Sequence, residues 1–229
     1  MADRSDMLYD EEVDLQKEAT DDALSGVPGD WVEEKYTEAQ QLAAPRGAVF
    51  ETRLAASKVL RSLGNSRFSA GEHAEALFAY ERAFWQVDFD LAFLKIEMTE
   101  AHQKATYEAQ TPVRLNMAQC LLKTGGDLGT AKAHTDACIE ACDEFGLEWK
   151  TKALYWRAKA RLQMGLYDEA EEDLKAAVKA EPADKSLRLA LEDCRAQRRQ
   201  LRSDQRRQFD GKLGPVPPQT DEKRRCSIS

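Results

Sequence analysis

Three segments of this chain repeat one pattern: LGNSRFSAGEHAEALFAYERA from Leu63, AQCLLKTGGDLGTAKAHTDAC from Ala118, and RAKARLQMGLYDEAEEDLKAA from Arg157. Self-similarity on this scale constrains a fold more than composition does. Each copy must adopt the same supersecondary unit and bury its apolar face against the next one. All three read as a helix, a Gly-containing turn and a second helix. β-Branched runs are scarce, and Ala, Leu, Glu, Lys and Arg dominate. The second helices share a small–large–small arrangement: Ala76, Tyr80 and Ala83; Ala131, Thr135 and Cys138; Ala170, Leu174 and Ala177. Two antiparallel helices approach closely only where small side chains face each other and larger ones fill the space beside them. Gly71, Gly125 and Gly165 fall in the turns, and Pro182 follows the last second helix as a stop.

The copies are unevenly spaced. Ala76 and Ala131 lie 55 residues apart, and Ala131 and Ala170 lie 39 apart, against about 34 in a simple array. The surplus, FWQVDFDLAFLKIEMTEAHQKATYEAQ, is helical in composition, so lengthened helices and a loop are expected there rather than a missing repeat. After the third copy, KSLRLALEDCRAQRRQLRSDQRRQF keeps apolar residues at Leu187, Leu191, Cys194 and Leu201, as a helix closing the open end of a stack would.

This pattern resembles the tetratricopeptide repeat, with the third copy the cleanest match. Three copies with a long first connection resemble the helical domain of immunophilin-type co-chaperones, nearest their aryl-hydrocarbon-receptor-interacting branch. The resemblance covers residues 56–210, about two thirds of the chain. It implies an all-α fold: three helix pairs and a capping helix in a right-handed superhelical stack. About 55 residues precede the repeats, fewer than the isomerase-like domain such proteins carry in front. The expected organisation is an acidic disordered head at 1–28, a short helix and linker at 29–50, the repeat domain with its cap at 51–210, and a Pro-rich tail at 211–229. Asp30 is placed to cap the short helix, and Trp31 and Tyr36 to pack it on the repeats.

The resemblance also implies a function. In the co-chaperone group the concave groove grips the terminal Asp of a heat-shock chaperone, whose two carboxylates accept hydrogen bonds from Lys, Asn and Arg. The matching positions here are Arg61 and Asn65 in VLRSLGN, Asn116 in RLNMAQC and Lys152 in TKALYWRAK. The fifth position, four residues after Lys152, is Trp156 where the group has Arg, and Arg157 is the expected substitute. Arg61 for the usual Lys keeps the charge and changes its shape.

The ends differ in charge. Residues 1–23 carry nine acids against Arg4 and Lys17, whereas from Lys185 onward twelve Lys and Arg face six acids. No aromatic or Gly-rich recognition pattern accompanies the basic end, so a solvated helix face is expected and nucleic acid is not. Within the head, Glu11-Glu12-Val13-Asp14 spells the terminal motif that the co-chaperone group recognises. Leu15 follows it, so Asp14 has only its side-chain carboxylate and chance in an acid-rich segment is the expected origin.

Cys226-Ser227-Ile228-Ser229 resembles a C-a-a-X prenylation signal, with terminal Ser favouring farnesyl. One prenyl chain binds membranes weakly, and Lys223, Arg224 and Arg225 supply the second signal, about 1 kcal/mol per residue near anionic lipid. The expectation is a cytoplasmic protein attached peripherally to the cytoplasmic face of a membrane. No apolar run approaches the roughly 20 residues needed to span a bilayer, and the five cysteines lack the spacing of a disulfide framework.

Catalytic readings find little support. His134, Cys138 and Cys142 share an i, i+4, i+8 face that suits zinc, but no fourth ligand is evident and Cys138 falls where a small buried residue is needed. Glu171 and Glu172 have no neighbouring His or nucleophile in sequence. There is no P-loop, G-x-S-x-G or GxGxxG. The expectation is a non-catalytic adaptor without metal, cofactor or small-molecule substrate. The alternative is a chaperone-independent scaffold that binds another peptide and carries no lipid.

Overall fold

The computed structural model describes residues 41–42, 46–47 and 49–209. The head with its internal Glu-Glu-Val-Asp, Asp30, Trp31, Tyr36, the basic triplet and Cys226 lie outside the described residues. Described residues beyond Val49 form helices joined by short turns: α1 (Phe50–Ser69), α2 (His73–Val87), α3 (Leu91–Ile96), α4 (Glu100–Thr124), α5 (Leu128–Phe145), α6 (Lys150–Gln163), α7 (Tyr167–Ala180) and α8 (Lys185–Phe209). Among the described residues there is no strand, and no helix is long and apolar enough to cross a membrane.

Local chemistry sets the helix ends. Gly71, Gly125 and Gly165 adopt positive φ in the three intra-pair turns, a conformation costly for any residue with a Cβ. Asp127 caps α5, its carboxylate accepting from the backbone N–H groups of Gly129 at 3.1 Å and Thr130 at 3.0 Å. Asp184 does the same for α8, accepting from Ser186 N–H at 2.7 Å, after Pro182 has helped end α7.

Helices α1 and α2, α4 and α5, and α6 and α7 pack as pairs, and each pair packs on the next. The result is an all-α superhelical stack closed by α8 on α7. The small–large–small residues of α2, α5 and α7 are all buried, which permits the close approach within each pair. Leu60, Tyr80, Val113 and Met117 centre one core cluster, and Leu115, Tyr155, Leu174 and Leu187 anchor a second that runs from α4 to α8. Each fully buried Leu contributes about 1.5–3 kcal/mol relative to exposure.

The surplus between the first two copies becomes the six-residue α3 and a lengthened α4 of 25 residues. Leu187, Leu191 and Cys194 are buried under α8 as expected. Leu201 is not. It is 37% exposed because α8, about 37 Å long, overruns the 14-residue α7, about 21 Å long, on which it lies. The Arg-rich face of α8 meets acids of α7: Arg195 Nε donates to Glu171 at 3.0 Å and Arg198 to Asp168 at 2.6 Å.

Candidate functional site

The first helices of the pairs, α1, α4 and α6, lie side by side and line a cavity of about 260 Å³. Arg61 and Asn65 of α1 are one helical turn apart and therefore share the face that reaches it. Asn116, Gln119 and Lys123 repeat that spacing on α4, and Lys152 and Trp156 on α6. Tyr80 and His73 reach it from α2, and Trp149 precedes α6. Among the described residues that line the cavity there are three cations, Arg61, Lys123 and Lys152, and no Asp or Glu. In a chain of net charge −8 this is a local inversion of sign.

A hydrogen-bonded trio ties the helices together at the middle of the cavity. Asn65 Oδ1 accepts from the Tyr80 hydroxyl at 2.8 Å and from Asn116 Nδ2 at 2.9 Å. Burial pushes the Tyr80 hydroxyl well above its ordinary value, so it remains a protonated donor. Burial also lowers the Arg61 guanidinium, an effect the nearby Tyr80 opposes. Lys152 Nζ lies 5.9 Å from the Trp149 ring centroid, within cation–π range. Trp156 is 4% exposed, and its indole N–H has no hydrogen-bond partner among the described residues.

Four of the five residues expected to face a peptide therefore line one cavity: Arg61, Asn65, Asn116 and Lys152. Arg157 does not, and that expectation is corrected. It lies about 100° round α6 from Trp156, directed at α5 and α7. Its Nε and Nη2 donate to Asp173 at 3.0 and 2.6 Å, and Nη1 donates to Asp136 at 2.8 Å. Arg161 Nη1 completes the network on Asp173 at 2.6 Å. Sequence reasoning also passed over Gln119, Lys123, Trp149 and the hydroxyl of Tyr80. The i, i+3, i+7 spacing of Asn116, Gln119 and Lys123 was a usable signal; the Tyr80 contact depends on how α1 and α2 cross.

Away from the cavity, Cys138 is fully buried and its thiol reaches the Thr111 carbonyl at 3.5 Å. Burial pushes that thiol up to about 12. Cys142 packs with Ala141 and Leu147. Burial, assisted by Arg114, lowers His134 to about 4. These cysteines serve packing.

Residues 151–184 match the tetratricopeptide-repeat family profile. The chain is 28% identical over 178 residues to the peptidyl-prolyl cis-trans isomerase FKBP42 of Arabidopsis thaliana, an alignment covering 77% of this chain and 46% of that protein. It is 26% identical over 155 residues to the peptidyl-prolyl cis-trans isomerase FKBP4 of Rattus norvegicus, covering 66% and 31%. The chain thus spans less than half the length of these relatives. The C-terminal tetratricopeptide-containing domain of a putative FK506-binding protein from Plasmodium falciparum superposes with a TM-score of 0.56 at 21% identity, covering 71% of this chain and 99% of that domain. The helical stack is similar to the tetratricopeptide-repeat domains of FKBP-type immunophilins, and residues 151–184 within it match the repeat itself.

Proposed function

We propose that this tetratricopeptide-repeat domain is the binding module of a non-catalytic, co-chaperone-like adaptor that holds the acidic C-terminal peptide of a heat-shock chaperone. One observation carries the reading: a cavity lined by Arg61, Lys123, Lys152 and two Asn amides, with no carboxylate among the described residues that line it. Carboxylates only accept hydrogen bonds, so a site for a chain-terminal Asp needs donors and positive charge. The two-helix Asn pair supplies neutral donors where a fourth or fifth cation would repel its neighbours. A second reading, a scaffold for another acidic peptide, draws support from Trp156, which puts an aromatic wall where the resemblance expects a cation.

The tail adds location to this reading. A farnesyl group on Cys226, assisted by Lys223, Arg224 and Arg225, would hold the adaptor on the cytoplasmic face of a membrane. Cys226→Ser should abolish the added mass and release the protein from membranes in a host able to prenylate. An unmodified mass for the starting protein there would remove the lipid from the proposal. For the groove, Lys152→Ala should weaken a peptide ending in Glu-Glu-Val-Asp by about tenfold or more, the loss of a charge-assisted hydrogen bond. Unchanged affinity in the folded variant would refute it.

A further inference from the structure

The geometry points to Tyr80 as a positioning residue that sets which end of the Asn65 amide meets the ligand, and so makes the groove selective for a free carboxylate. This inference rests on the carboxylate-binding function proposed above and adds a residue that the resemblance does not supply. An Asn side chain can turn either its carbonyl oxygen or its N–H₂ toward a ligand, and the hydrogen bonds around it decide which. Here the choice is made from behind. Asn65 Oδ1 already accepts from the Tyr80 hydroxyl at 2.8 Å and from Asn116 Nδ2 at 2.9 Å. With both lone pairs engaged, the oxygen is held against α2 and α4, and the N–H₂ group is what Asn65 offers the cavity.

Two features fix Tyr80 in this task. Its ring is 2% exposed, and it lies against the backbone of Gly64, where a Cβ would come within 2.5 Å of the ring. The ring is therefore packed directly on the α1 backbone and enclosed on its other sides. Burial keeps its hydroxyl protonated at all ordinary pH values, so it donates throughout. Without this hydroxyl, one acceptor site on Asn65 is empty and Asn116, itself an amide able to turn, alone holds the oxygen, so the turned form gains population. A turned amide presents an oxygen to the ligand, which repels a carboxylate and accepts from a carboxamide.

The test is the ratio of affinities for one peptide ending in Glu-Glu-Val-Asp as free acid and as C-terminal amide, in Tyr80→Phe and in the starting protein. Phe keeps the ring and removes only the oxygen. The free acid should weaken severalfold or more while the amide holds its affinity, so that the preference for acid collapses to within about threefold. A merely structural loosening would weaken both peptides equally. An unchanged ratio in folded Tyr80→Phe overturns the inference. Lys152→Ala, run beside it, separates the two failures: unaffected binding there removes the carboxylate reading itself. Should Tyr80→Phe not fold, side-chain amide spectra of the starting protein carry the same test. The Asn65 N–H₂ resonances, assigned by their loss in Asn65→Ala, should shift with the free acid, and an unmoved pair at saturation overturns the role assigned to Tyr80.

Discussion

The side-chain amide of Asn116 on α4 donates to Asn65 Oδ1 on α1 at 2.9 Å, across the boundary between the first two helix pairs. This bond connects stability with recognition. The stacking of one pair on the next sets the separation of the two amides, so the cavity is shaped by the repeat architecture and not by a loop. Together with Tyr80 it joins α1, α2 and α4 at one oxygen.

Gly64→Ala should destabilise the fold although Ala is the better helix former. The gain in propensity is at most about 1 kcal/mol. The new Cβ would sit 2.5 Å from Tyr80 Cε1 and 2.6 Å from Cδ1, and overpacking of a buried ring costs about 1–3 kcal/mol. A lower melting temperature is expected, with weaker peptide binding because Tyr80 is displaced. An unchanged or raised melting temperature would show that the ring gives way.

Arg157→Ala should cost stability and spare the groove. Asp173 is buried, and it would keep only Arg161 of its two cations. Breaking a charged, part-buried pair of this kind costs roughly 1.5–3 kcal/mol. Chemical denaturation should show that loss, and titration with acidic peptide should give unchanged affinity in the folded fraction. A tenfold loss of affinity at unchanged stability would return Arg157 to the binding site.

Trp156→Arg should convert the aromatic wall to a fourth cation in the cavity. Acidic peptides are then expected to bind more tightly at low salt, with a steeper loss as salt is raised, because added charge–charge attraction is screened. Parallel titrations at two ionic strengths check this, and identical salt slopes for both proteins would contradict it.

Stability should fall as pH drops from neutrality toward 4, and His134 is the cause. Its ordinary value is 6.5; burial first, and Arg114 second, lower it to about 4. Between these values the unfolded chain takes up a proton that the folded chain refuses, so the folded state loses its advantage as pH falls. The loss is about 1–3 kcal/mol after allowing for partial exposure. Asp136 acts lower on the scale. Burial would raise it, but hydrogen bonds from Lys132 and Arg157 outweigh burial and hold it below 3.8, so its contribution disappears only in stronger acid. His134→Gln should flatten the melting-temperature profile between pH 6.5 and 4; an unaltered slope would place the effect elsewhere.

Periodic features were legible in the sequence and phase-dependent ones were not. Ala76, Tyr80 and Ala83, with their counterparts in α5 and α7, announce helix pairs because close approach imposes the same steric demand in every copy. Arg61, Asn65, Asn116 and Lys152 came from the resemblance, matched position by position, and the structure places all four along one cavity. Arg157 was misplaced because one residue of offset turns a helical side chain about 100° away, enough to exchange a groove for an ion network. Leu201 continues the apolar period of α8 past the point where α7 ends, and a pattern alone cannot report the length of its partner. The Gly64–Tyr80 contact and the orientation of the Asn65 amide arise from a helix crossing, which leaves no mark beyond a Gly in mid-helix.

Carboxylate recognition by the cavity is tested most directly by calorimetric titration of the whole chain with a single peptide ending in Glu-Glu-Val-Asp, as free acid and as C-terminal amide. The free acid is expected to bind at least about tenfold more tightly, the equivalent of roughly 1.4 kcal/mol or one charged contact. Equal affinities for the two forms, or binding of neither, would contradict a groove built to hold a terminal carboxylate.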